Sequence, residues 1–349
     1  MIKLVILKII MAILESVYKE IFHNFVTATR ILVIGHLSPD GDALSSVCSL
    51  LELSERYNIF ARGFCSDYRS TGTFDYLPHI QKIAATPECL GELDNYSLII
   101  VVDCGSLART NLAEQIKSLK EKSKRPLLIE FDHHPNSEHW SDLELRLPEK
   151  AATTEIIYDF LKINGEEINR DLADCILTGL LSDTGNFLYS KTSIDNLSIA
   201  SEMVACGARF TKIINRLIRN QSLLTMKLWG LAFNNLRLNK KYNLAFSVLT
   251  RPEVDEILKS ATSEERDRFS SQDIFGEIAG WLSNISEVDA IMVLREEPEG
   301  LVKGSLRSSQ DGVDVSKLAR MFGGGGHPKA SGFTLKGRLL KDGDRWKIV

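Results

Sequence analysis

The chain has 349 residues, 44% of them apolar and 25% charged, with a formal net charge of −4 at neutral pH. That length gives room for two cores, and the composition is that of an ordinary soluble protein. The small negative charge excludes an overall basic field for gripping long nucleic acid, so an anionic substrate has to be held locally.

At the N-terminus, MIKLVILKIIMAIL resembles the apolar part of a secretion signal. Lys8 interrupts it, no small-x-small cleavage site follows, and it is too short to span a bilayer. It reads as a short extension ahead of a helix near Leu14–Ala28, which makes the cytoplasm the expected compartment and a membrane an unexpected partner. Six cysteines (Cys48, Cys65, Cys89, Cys104, Cys175 and Cys206) lie far apart with no Cys-x-x-Cys pair. This spacing argues for reduced thiols and against a disulfide scaffold or a thiolate zinc site.

Short β-branched runs then alternate with helical patterns. Arg30–Gly35 reads as a buried strand, Ala43–Tyr57 as a helix, Ile59–Cys65 as a second strand, Leu98–Val102 as a third and Leu127–Phe131 as a fourth. Helical spacing recurs at Leu112–Glu121, Thr154–Asn164 and Asp171–Leu181. Strand and helix in this order predict an α/β fold, a parallel sheet with helices on both faces. In such sheets ligands bind beyond the carboxyl ends of the strands.

Acidic and imidazole residues stand at those ends. His36, Asp40 and Asp42 follow the first strand, Asp103 follows LIIVV, Asp132, His133 and His134 follow LLIEF, and Asp183 ends the apolar stretch TGLLSD. Each has an ordinary reading by itself: Asp40-Gly41-Asp42 as a turn with a helix cap, Asp103 as a cap, the two histidines as a surface pair. Together they are harder to account for. Carboxylates gathered at one sheet edge repel one another and need cations to neutralise them. Oxygen ligands with a minority of imidazole and no thiolate suit Mn²⁺ best, with Mg²⁺, Co²⁺ or Fe²⁺ as alternatives. The set exceeds the needs of one ion and points to a two-metal hydrolase.

Near the C-terminus, Gly323, Gly324, Gly325 and Gly326 precede His327-Pro328-Lys329. Consecutive glycines let backbone N–H groups approach an anion, and a helix starting at Lys329 would add its dipole. Arg307 and Ser308 end the run LVKGSL, placing an arginine suited to phosphate nearby.

The order GHLSPDGDAL, VVDCGS, FDHHPNS, LLSDTGNF and GGGGHPKASGF resembles the DHH phosphoesterases that carry the first type of DHH-associated C-terminal domain. Within that family it looks most like the stand-alone nano-RNase and pAp phosphatase group. The resemblance implies that His36 and Asp40 bind one manganese, Asp42, His133 and Asp183 the other, with Asp103 bridging both. It further implies that Asp132 orients the adjacent imidazoles and that His134 faces the substrate phosphate as acid or ligand. Arg307, Ser308, Gly323 to Gly326 and His327 would hold the nucleotide's terminal phosphate or sugar.

Two positions depart from the family pattern. Ser45 stands where glycine is common, which bears on helix packing near the metals, and Glu130 adds a carboxylate expected near the site.

The implied organisation is a metal-bearing domain over 1–205, a helical connector over 206–235 and a substrate-binding domain over 236–349. Strands are expected at Tyr242–Leu249, Ala290–Glu296 and Leu301–Leu306, with the active cleft between the two lobes. The expected substrates are short single-stranded RNA or small nucleotides: fragments of a few nucleotides, 3′-phosphoadenosine 5′-phosphate, or linear and cyclic dinucleotides. Long duplex nucleic acid is not expected. Cyclic-dinucleotide phosphodiesterase is the alternative activity and a nucleotide-binding regulator the alternative outside catalysis. A homodimer is implied by the resemblance alone.

Overall fold

The structure is a computed structural model describing residues 2–68, 72–135, 138–189, 191–217, 222–263, 265–266, 269, 274–343 and 345–349, with side chains from residue 11 onward. The last two residues of the FDHHPNS motif, Asn136 and Ser137, lie outside this set. The chain divides into two compact units, 1–220 and 221–349.

The first unit opens on helix α1 (Ile2–Thr27), which starts well before the expected Leu14 because the apolar extension continues the same helix. Among the described residues no helix is long and apolar enough to cross a membrane. Six strands follow: β1 (Arg30–Ile34), β2 (Phe60–Phe64), β3 (Ile83–Ala84), β4 (Leu98–Val102), β5 (Leu127–Asp132) and β6 (Leu143–Arg146). They form one sheet, every pairing parallel, in the order β3-β2-β1-β4-β5-β6.

Continuous apolar strands are what a sheet covered on both faces requires. Ile31 and Val33 of β1, Leu98, Ile100 and Val102 of β4, and Ile129 and Phe131 of β5 enter one core. The alternate residues Leu32, Ile34, Ile99, Val101 and Leu128 enter the other. The first core is covered by α1, α2 (Gly41–Arg56), α4 (Thr153–Ile163), α5 (Arg170–Asp183) and α6 (Ile194–Ala205), and the second by α3 (Ala113–Leu119). Ile213 of α7 (Phe210–Leu217) also belongs to the first core. The strand order reverses between β1 and β4, the crossover point where loops splay apart and open sheets bind ligands.

The second unit holds α8 (Leu223–Asn234), β7 (Arg237–Asn239), β8 (Leu244–Leu249), α9 (Arg251–Leu258), α10 (Ile274–Leu282), β9 (Ala290–Glu297), β10 (Leu301–Arg307), α11 (Val315–Met321), β11 (Gly325–His327), β12 (Ala330–Lys336), β13 (Leu339–Asp342) and β14 (Arg345–Ile348). Its main sheet has the order β11-β12-β10-β9-β8-β7 and is mixed, since β8 and β9 run parallel and the other pairs antiparallel. Leu224, Leu228 and Ala232 of α8 pack into this unit's core.

The helix expected from Lys329 does not form. Ala330–Lys336 is strand β12, where Phe333 is buried between more exposed neighbours, a pattern of period two. The helix beside the glycines is α11, which ends at them. The Gly323 and Gly324 N–H groups therefore donate to the Arg320 and Ala319 carbonyls, at 3.0 and 2.9 Å, and close that helix.

Candidate active site

Each acidic group is placed by the end of a strand or helix. Gly35 continues β1 by donating its N–H to Phe64, and His36 follows it, buried. The His36 Nδ1 lies 2.8 Å from the Leu37 carbonyl. A carbonyl only accepts, so Nδ1 carries a proton, and in the neutral ring Nε2 is then the nitrogen with the lone pair. That Nε2 points toward Asp40 Oδ2 at 3.7 Å.

Asp40 caps α2, its Oδ1 accepting from the Asp42 and Ala43 N–H groups at 3.1 Å each. Its side chain is half exposed. Loss of solvent around the cluster raises its pKa, but the His36 ring, the Ala43 N–H and the Arg109 charge together hold it below the usual carboxylate range.

Asp42, fully buried, sits in the first turn of α2 and is gripped by the start of α4. Its Oδ2 accepts the Thr153 N–H at 2.6 Å, and its Oδ1 accepts the Thr154 N–H at 3.1 Å and the Thr154 hydroxyl at 2.7 Å. A helix N-terminus supplies these donors without a side-chain cation. Even so, burial and the nearby Asp183 charge push Asp42 up to about 7.

Asp103 follows β4 with φ of 58°, a left-handed conformation that aspartate tolerates better than most residues. Its N–H donates to the Phe131 carbonyl at 3.0 Å and its Oδ1 accepts the Thr153 hydroxyl at 2.9 Å. Burial and the charges of Asp42, Asp40, Asp183 and Asp132 raise its pKa well above the usual range.

Asp132, the last residue of β5, has both oxygens occupied. Oδ2 accepts the Gly105 N–H at 2.6 Å, and Oδ1 accepts the His134 N–H at 2.7 Å and the His134 Nδ1–H at 2.8 Å. Burial opposes its ionisation, but the His134 contacts and the Gly105 N–H keep its pKa lowered. His134 is thereby fixed as a ring whose Nδ1 is committed to Asp132 and whose Nε2 is left for other work.

His133 is buried. Its Nδ1 lies 3.3 Å from the Lys150 carbonyl, so its Nε2 presents a lone pair 3.1 Å from Asp183 Oδ2 and 3.5 Å from Asp103 Oδ1. Among the described residues this Nε2 has no hydrogen-bond partner. Three electron-rich atoms facing one another inside a protein are repulsive unless a cation lies among them. Asp183, at the end of α5, completes the arrangement, and burial with the Asp40 charge pushes its pKa up to about 8.

The side chains gather accordingly. His36, Asp40 and Asp103 form one group and Asp42, His133 and Asp183 another, in each of which one ligand atom per residue lies within 4.8 Å of the others. Asp103 also lies against His133 of the second group. A third grouping joins Asp103, His133 and His134, but the His134 nitrogen facing Asp103, Nδ1 at 3.6 Å, is already bound to Asp132. Carboxylates and imidazoles with no thiolate fit a hard or borderline divalent cation.

The raised carboxyls set a pH dependence. Asp42 and Asp183 move from an ordinary value of 3.8 to about 7 and about 8, so between roughly pH 4 and 8 the folded chain holds more protons than the unfolded one. Stability falls with rising pH wherever the folded state binds more protons. The metal-free protein is therefore expected to melt at lower temperature at pH 8 than at pH 5. Scanning calorimetry in EDTA checks this, and a Tm that rises over that window contradicts it.

Several residues that shape the site were not singled out from the sequence. Thr153 and Thr154 hold Asp103 and Asp42, and Gly179 of α5 lets Asp42 approach. A Cβ at Gly179 would lie 2.4 Å from both Asp42 Oδ1 and Thr154 Oγ1. Glu155, buried, accepts from Lys150 Nζ at 3.0 Å, from the Ala151 N–H at 2.9 Å and from Asn196 Nδ2 at 2.8 Å. These bonds set the turn whose Lys150 carbonyl orients His133. Asn196→Ala is expected to weaken divalent-cation affinity about tenfold, the usual effect of loosening a ligand's support, and titration of the metal-free protein with Mn²⁺ checks it. Short polar stretches such as AATTE carried the helix-start signal, but not the partner it serves more than a hundred residues away.

Glu130 does not add a carboxylate to the site. It is buried against Arg146 and accepts from Trp140 Nε1 at 3.1 Å, outside all three groupings. Ser45 is buried, its hydroxyl lacks a partner among the described residues, and nothing in the structure explains it.

In the second unit, Arg307 ends β10 in register with Ala330 of β12, which in turn pairs with His327 of β11. The Ser308 hydroxyl donates to the Asp289 carbonyl at 2.6 Å. Gly324 and Gly326 are needed by the backbone itself. A Cβ at Gly324 would meet the Gly332 carbonyl at 2.1 Å, and Gly326 has φ of 134°.

The chain matches the DHH family, N-terminal domain, over residues 30–180, and the DHHA1 domain over residues 254–344. It is 29% identical over 323 residues to the bifunctional oligoribonuclease and PAP phosphatase NrnA of Bacillus subtilis, covering 90% of this chain and 92% of that protein. It is 28% identical over 308 residues to the protein of the same name from Thermus thermophilus, covering 88% of this chain and 84% of that one. An exopolyphosphatase-related protein from Bacteroides fragilis superposes with a TM-score of 0.79 at 24% identity, over 91% of this chain and 90% of that one, a likeness of fold. The chain therefore carries a DHH family N-terminal domain followed by a DHHA1 domain.

Proposed function

We propose that this protein is a metal-dependent phosphoesterase that hydrolyses short oligoribonucleotides to mononucleotides and removes phosphate from 3′-phosphoadenosine 5′-phosphate. The observation that carries this reading is Asp103, a buried carboxylate lying against two separate groups of oxygen and imidazole ligands. The similarity to oligoribonuclease and PAP phosphatase relatives over nine-tenths of the chain supports the substrate class.

In this reading His36 and Asp40 would hold one ion, Asp42, His133 and Asp183 would hold the other, and Asp103 would serve both. Two divalent cations held there, Mn²⁺ foremost, would make a water nucleophilic at neutral pH and would offset charge gathering on the phosphorus. The chain's own part is to hold those donors in place. Asp42 is pre-oriented by the α4 N-terminus, His133 by the Lys150 carbonyl and Asp103 by the Thr153 hydroxyl. Asp132 holds His134 by Nδ1, so the opposite nitrogen, Nε2, is the one available to pass a proton to the leaving oxygen as the P–O bond breaks.

Substrate positioning falls to the second unit, with Arg307, Ser308, Gly323 to Gly326 and His327 receiving the terminal phosphate or sugar. This division assigns the metal domain to 1–205, the connector to 206–235 and the substrate domain to 236–349. The cytoplasm is the compartment it implies, in keeping with six cysteines that are all unpaired.

The test is a panel of substrates with Mn²⁺: di- to penta-ribonucleotides, 3′-phosphoadenosine 5′-phosphate, cyclic di-AMP and pyrophosphate. The shortest oligoribonucleotides and the bisphosphate should turn over fastest, with all activity lost in EDTA. Preference for cyclic di-AMP would favour the alternative phosphodiesterase, and turnover of none would leave a nucleotide-binding regulator.

A further inference from the structure

We infer that Arg109 is the cation with which the first unit takes hold of a substrate phosphate oxygen beside the His36 and Asp40 group. The inference rests on the phosphoesterase reading above and deepens it.

Arg109 lies in the short turn Leu107–Thr110 after β4. Its carbonyl accepts the Leu37 N–H at 2.7 Å, and Leu37 is the neighbour of His36. Its Nη1 donates to the Cys104 carbonyl at 3.2 Å, and Cys104 is the neighbour of Asp103. The residue is thus braced to both loops that meet at the strand crossover, one from β1 and one from β4. Its side chain is exposed, as is half of Asp40.

The guanidinium is not consumed by the acidic cluster. Among the described residues it forms the one hydrogen bond to Cys104, and no carboxylate lies within ion-pair distance of it. Most of its five N–H donors are therefore without a partner among the described residues, in a turn that leaves the carboxyl end of β4, the edge where ligands of this fold bind. A planar fork steadied through one terminal nitrogen, with Nε and Nη2 left on its other edge, suits paired contact with phosphate oxygens.

The charge balance gives it a task. Asp40, Asp42, Asp103 and Asp183 carry four negative charges when ionised, which two divalent cations match and do not exceed. A phosphate arriving there brings negative charge of its own, and a fixed guanidinium at the rim offsets it.

The competing role is purely structural, a brace between two loops. Full-length R109Q and R109K separate the two. Titration of each metal-free protein with Mn²⁺ reads the cage, and titration of the Mn²⁺-loaded proteins with AMP and with adenosine reads the phosphate contact. R109Q should bind AMP about tenfold or more weakly, the effect of losing a charge-assisted hydrogen bond, with Mn²⁺ affinity, adenosine binding and Tm unchanged. R109K, which keeps the charge and loses the fork, should fall between, and it carries the test if R109Q does not fold. Unchanged AMP binding overturns the inference, as does a loss of Mn²⁺ affinity that accounts for the whole loss of AMP binding. Wild-type protein that takes up no Mn²⁺ overturns the phosphoesterase reading itself, and this inference with it.

Discussion

Asp103→Asn should lower turnover of a diribonucleotide more than about 100-fold, since even residues that merely support a metal ligand cost 10 to 100-fold when lost. The same change should raise the Tm of the metal-free protein at pH 8. Asp103 is buried among Asp42, Asp40, Asp183 and Asp132, and its charge is opposed by burial first and by those neighbours second. Asparagine removes that charge while its carbonyl oxygen can still accept the Thr153 hydroxyl, which lies 2.9 Å away. Loss of activity together with gain of stability is the signature of a group kept for a cation rather than for the fold. Turnover assays and calorimetry on one preparation measure both, and an active Asp103→Asn enzyme would remove the shared ligand from the account.

The second large effect belongs to a residue with no side chain. Gly179→Ala should destabilise the protein by about 1–3 kcal/mol, the ordinary range for overpacking a close contact, and should weaken Mn²⁺ binding at the same time. Elsewhere in a helix this substitution stabilises, by up to about 1 kcal/mol. Here the new methyl group would stand 2.4 Å from Asp42 Oδ1 and 2.5 Å from Thr154 Cγ2, where α2, α4 and α5 converge. Either α5 shifts away or Asp42 leaves the Thr153 and Thr154 N–H groups. Urea unfolding with and without Mn²⁺ distinguishes these outcomes, and a stabilised variant that binds Mn²⁺ normally would show that the contact relaxes without consequence.

Much of the first unit was legible because its sheet is buried on both faces. Such strands must be apolar at consecutive positions, and Leu98–Val102 stands out in the sequence with the limits it has in the structure. The acidic residues were legible for a related reason, since a carboxylate directly after a buried strand has to emerge at the sheet edge. Less visible were the features fixed by tertiary contact. The two-residue β3 is too short to show a period, and the sequence carries no sign that Glu130 is taken up by Arg146 and Trp140. The helix expected from Lys329 does not follow the glycine run; close packing against Gly332 and Phe333 accounts for Gly324, and the run stands at a helix end. Thr153, Gly179 and Asn196 carry no chemistry that marks them singly, and their importance comes from what folding sets beside them.

The most direct test of the account is anomalous diffraction from crystals of the full chain soaked in Mn²⁺. Two manganese peaks are expected in the first unit, one contacted by His36 and Asp40, one by Asp42, His133 and Asp183, with Asp103 reaching both. A single peak that does not touch Asp103, or none within this cluster, would contradict it.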